Sequence, residues 1–77
     1  MKTGNSNVIV YVKQPVHREQ VRALSERIGT LYGVVSAQNS SRAHNLICVD
    51  YNPQVIDSQH ILACASNRGF AARLVGM

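Results

Sequence analysis

A chain of 77 residues suffices for one domain and buries only about 60% of its extended surface, too little for an elaborate catalytic apparatus. With 45% apolar and 16% charged residues it has enough hydrophobic material to fold, which excludes a disordered tail. Eight Lys and Arg against four Asp and Glu give a net charge of +4; spread along the chain with few aromatics, they argue against nucleic acid and for acidic partners or anionic membranes.

Residues 1–7 are polar and read as a flexible leader to a single domain over 8–77. Residues 7–12 are β-branched and aromatic and predict the first strand. Its apolar run, 8–12, is far shorter than the ~7–15 residues of a signal h-region or the ~20 of a membrane span. A cytoplasmic location is therefore expected. Pro15 ends the strand, and helical spacing takes over. Val21, Leu24, Ile28 and Leu31 form one stripe of a helix predicted over 18–32, with Glu19, Arg22 and Glu26 on the opposite face. Gly33 stands where a helix terminus wants a residue free to take positive φ.

A second strand is predicted over 34–38 and a polar hairpin loop over 39–45. A third strand, Leu46–Tyr51, ends at the Asn52-Pro53 turn signal. Asp57 or Ser58 caps a second helix running to Arg68, Gly69 stops it, and 70–75 form the last strand. The order strand-helix-strand-strand-helix-strand has few compact solutions. Right-handed crossovers and a central hairpin give an α+β, ferredoxin-like βαββαβ sandwich: a four-stranded antiparallel sheet with both helices on one face.

From Val8 to Val75 the chain resembles the heavy-metal-associated (HMA) domain family. The resemblance rests on Gly33-Val34 after an amphipathic helix, on Ile47, Val49, Tyr51 and Asn52-Pro53, and on Ile61, Leu62 and Ala65 before Gly69-Phe70-Ala71-Ala72. It implies the same sandwich fold and a place in metal transport or metal homeostasis. Members carry a Met-x-Cys-x-x-Cys loop whose two thiolates bind soft metal. Counting back from Gly33 puts that loop on residues 15–20, with His17 and Gln20 in the two cysteine positions. The resemblance therefore implies the fold without the metal site, as in a degenerate member.

Other residues offer alternatives. The topology places His17, His44 and Phe70 at one pole, where the two imidazoles could hold a divalent metal or a haem iron. A first-turn residue and a solvated loop residue are the plainer reading, with no cofactor. His60 falls at the opposite pole. Strand alternation sets Ile9, Tyr11, Leu46, Cys48 and Arg73 on the uncovered sheet face. Apolar groups there point to a protein partner or a homodimer. Cys64 reads as a small core residue, and a Cys48–Cys64 pair would have to span the sheet, so neither a disulfide nor a shared metal is expected. Two cysteines are also too few for a disulfide-stapled mini-protein. Lys13, Arg18 and Arg22 form a basic patch beside the degenerate loop. No acid–base pair, nucleophile context or phosphate loop is visible. The expected role is a non-catalytic docking or regulatory module, for example at the N-terminus of a metal-transporting P-type ATPase or in an accessory protein of such a transporter.

Overall fold

Alternation along the first strand decides which side of the sheet becomes the core. In the computed structural model, which describes residues 4–75, Val8, Val10 and Val12 are buried while Ile9 and Tyr11 are only partly covered. β1 spans Ser6–Val12, α1 Arg18–Gly29, β2 Val34–Asn39, β3 Leu46–Tyr51, α2 Ser58–Asn67 and β4 Ala72–Val75. The strands lie in the order β2-β3-β1-β4, and every neighbouring pair is antiparallel. The ferredoxin-like sandwich expected from the element order is the fold observed.

Register aligns the buried residues into rows. Val8 stands opposite Val49, and Val10 lies between Ile47 and Leu74. Against these rows α1 packs Val21, Leu24 and Ile28, and α2 packs Ile61 and Ala65, all buried. Each fully buried aliphatic side chain contributes about 1.5–3 kcal/mol relative to exposure. The stripe read from helical spacing is thus the face that holds the sandwich together.

Five boundaries differ from the sequence expectation, the smallest being the end of α2 at Asn67 rather than 68. β1 begins at Ser6, inside the expected leader; residues 1–3 of that leader lie outside the described residues. α1 stops at Gly29 rather than 32. The Thr30 hydroxyl donates to the Arg27 carbonyl at 2.7 Å, and the Leu31 N–H turns back to Ile28 at 3.0 Å. Such local bonds compete with the helical ladder and close it early. Leu31 still reaches the core from the turn.

β2 runs one residue further, to Asn39, which pairs with Ile47. A bulge between Val34 and Ser36 leaves Val35 60% exposed. β4 starts at Ala72 rather than 70 because Phe70 belongs to the end of α2. Its N–H bonds the Ala65 carbonyl at 3.1 Å, and Gly69, at φ +91°, bonds Ser66 at 3.0 Å. That pair of bonds is the Schellman closure, and it turns Phe70 onto the core. Among the described residues no helix is long and apolar enough to cross a membrane.

Candidate functional site

Three chain segments meet at one pole of the sandwich because backbone groups beyond the strand ends find partners there. The Val12 N–H bonds the Asn45 carbonyl at 2.9 Å, and the Lys13 N–H bonds Ala71 at 2.7 Å. The Asn45 carboxamide, only 5% exposed, donates to the Val12 carbonyl at 3.1 Å. These bonds join the loop after β1, the loop between β2 and β3, and the start of β4, as the topology predicts.

His17 and His44 both belong to this pole. His44 Nε2 lies 3.1 Å from the Val16 carbonyl. A carbonyl only accepts, so Nε2 donates its proton here, and in the neutral ring the lone pair lies on Nδ1. His17 is exposed and is the N-cap of α1. Its backbone N–H donates to Gln20 Oε1 at 3.0 Å. The two positions that the family resemblance sets against a cysteine pair, 17 and 20, hold an imidazole and a carboxamide, the latter engaged in capping.

That donor set does not fit a soft metal, which needs thiolates. Cys48 is exposed on β3 and Cys64 is half-buried on α2, and both are free thiols. Among the described residues no three His, Cys, Asp or Glu side chains gather as ligands. His60 sits at the opposite pole, paired with Asp57 at 3.0 Å. The N–H of His60, followed by its ring, bonds the Asp57 carboxylate and holds it below its ordinary titration range.

A polar brace that the sequence pattern did not reveal stiffens the same end. The buried Ser25 hydroxyl faces two acceptors, the Arg22 carbonyl at 2.8 Å and Asn39 Oδ1 at 3.0 Å. Asn39 Nδ2 in turn donates to the His44 carbonyl at 3.1 Å. The chain of bonds runs from α1 through β2 and the hairpin loop to the loop that carries His17. Ser25 falls on the buried side of α1 beside Leu24 and Ile28. A serine on an apolar stripe was the available signal.

On the uncovered sheet face, register makes one surface of residues scattered in sequence. Val75, Ile9, Cys48 and Gln38 form one row across the four strands, and Arg73, Tyr11 and Leu46 form the next. The Arg73 guanidinium lies over the Tyr11 ring, 5.1 Å from its centre, a cation–π pair. Towards the other end the face becomes polar: Asp50 accepts from Asn7 and from Ser36. The five residues expected on this face thus form one patch with a polar border.

The basic residues divide. Arg18 and Arg22 line a groove together with Arg42 and His44 of the hairpin loop. Lys13 lines separate depressions, one with Tyr11 and Arg73 and one with Phe70.

No protein-family model matches the chain, and no curated protein matches it. Among solved structures it is similar to oxidized MerP from Ralstonia metallidurans CH34, at a TM-score of 0.79 and 11% identity, covering 92% of this chain and 97% of that one. At such an identity the likeness shows a shared fold.

Proposed function

We propose that this chain is a non-catalytic interaction module built on the heavy-metal-associated type of fold, without that family's cysteine pair. It docks or regulates within a metal-transport or metal-homeostasis system, for example as the N-terminal domain of a metal-transporting P-type ATPase. The fold it shares with MerP supports the general setting, and the family's loop positions supported the loss of the carrier site. The observation that carries the docking role is the uncovered sheet face. An open antiparallel face is ordinarily polar. Here Ile9, Tyr11, Leu46 and Cys48 stand in adjacent rows beside Arg73.

The occupant is a protein partner or a second copy of the chain, and light scattering on the eluting protein tests it. Wild type should elute as a dimer, or as a monomer that gains mass with the cytoplasmic part of a transporter; Tyr11→Asp should abolish either. A wild type that stays monomeric and captures nothing overturns the docking role.

A second reading has one observation in its favour, the bond that brings His44 to the loop carrying His17. In it the two imidazoles hold a divalent metal or haem. Zinc, nickel, copper or haemin should then raise the melting temperature by mass action on the native state. His17→Ala should remove the rise; no rise with any of them ends this reading.

A further inference from the structure

The groove between the start of α1 and the hairpin loop concentrates positive charge. Arg18 and Arg22, four residues apart, lie on one helical face, and Arg42 approaches from the loop. His44 and the hydroxyls of Ser40 and Ser41 complete a groove of about 450 Å³ with no carboxylate in its lining. Among the described residues Arg18 and Arg42 make no ion pair within 4.0 Å, and Arg22 reaches only Glu26, at 3.9 Å and with both side chains about three-quarters exposed. An exposed pair of that kind holds an arginine weakly.

The arrangement suits one chemistry. Guanidinium groups present forked N–H donors that match the oxygens of a phosphate. Ser40 Oγ already accepts from the Arg42 N–H at 3.1 Å, which leaves its own proton to donate. The brace through Asn39 and Ser25 holds the loop wall against the helix wall. No Phe, Tyr or Trp lines the groove, so it lacks the large aromatic platforms on which single-stranded bases stack. Arg18, in the first turn of α1, also opposes the helix dipole, a disfavoured placement that a bound anion relieves.

We propose that Arg18, Arg22 and Arg42, with the Ser40 hydroxyl, form a binding site for a phosphoryl group. The site is independent of the docking face. A phosphoryl group can come from free phosphate or from an anionic lipid headgroup, and two arms separate the sources.

Amide NMR of the full chain is followed during titration with inorganic phosphate at constant ionic strength. Sedimentation is measured with phosphatidylcholine vesicles containing or lacking phosphatidic acid. Saturable shifts confined to residues 18–22 and 40–44 are expected, or sedimentation that requires phosphatidic acid; the second result alone assigns the headgroup. Arg42→Ala should weaken binding about tenfold, the loss of one charge-assisted contact. Lys13→Ala and Tyr11→Asp should leave it unchanged, which keeps this result separate from that of the docking face. Absence of both responses overturns the proposal, as does an equal loss in Lys13→Ala, which would signify bulk charge alone.

Discussion

A Cβ placed on Gly33 would stand 2.7 Å from Val55 Cγ1 and 2.8 Å from Ile56 Cγ2, and φ there is +101°. Neighbour and backbone conformation both disfavour a side chain, and a strained residue of this kind costs on the order of 1–3 kcal/mol. Gly33→Ala should lower the unfolding free energy by that amount, read as a lower denaturant midpoint at unchanged slope; an unchanged midpoint would mean that the turn relaxes freely. Asp57 makes a pH-dependent contribution. Its carboxylate is held below its ordinary value of 3.8, first by the His60 N–H and then by the His60 ring. A folded-state value below the unfolded one gives stability that is present above the unfolded value and fades as pH falls through the folded one. The melting-temperature difference between wild type and Asp57→Asn should therefore be positive at neutral pH and shrink on acidification below about pH 4. A difference independent of pH would show that capping geometry, and not charge, matters there.

The apolar stripe of α1 is plain in the spacing of Val21, Leu24 and Ile28, because a helix repeats its faces over a few residues. Its end was not. Thr30 closes the helix through a bond to Arg27, a contest between local hydrogen bonds that apolar spacing does not register. The brace is likewise a property of neighbouring elements. Asn39 loses two bonds in Asn39→Ala, one to Ser25 and one to the His44 carbonyl. A loss of about 1–3 kcal/mol is expected. Amides of residues 40–45 should exchange faster with solvent while those of α2 keep their protection. Uniform acceleration across both would show that Asn39 supports the whole fold and not the pole. In α2, Ile61 is wholly buried, and Ile61→Ala should cost about 2–5 kcal/mol by chemical denaturation.

A domain of this length holds about 4–12 kcal/mol of stability in all, so that single truncation threatens the whole molecule. The open face behaves differently. Tyr11 is only partly covered and packs beneath Arg73, and Tyr11→Asp should shift stability far less than Ile61→Ala. Association should be lost while the melting temperature is largely kept. A variant that unfolds would instead make Tyr11 part of the core.

Element order, the buried rows and the membership of the open face follow from period alone: two residues in a strand, between three and four in a helix, each expressed within a dozen neighbours along the chain. The absence of a thiolate pair from the first loop is likewise a fact of composition. Tertiary structure decided the rest. Arg42 lies 20 residues beyond Arg22, and only the packing of α1 beside the end of β2 brings both to one groove. The Ser25–Asn39–His44 chain and the bond from the His44 ring to Val16 depend on distances of a few ångströms between segments remote in sequence. Side-chain periodicity carries no information about those distances.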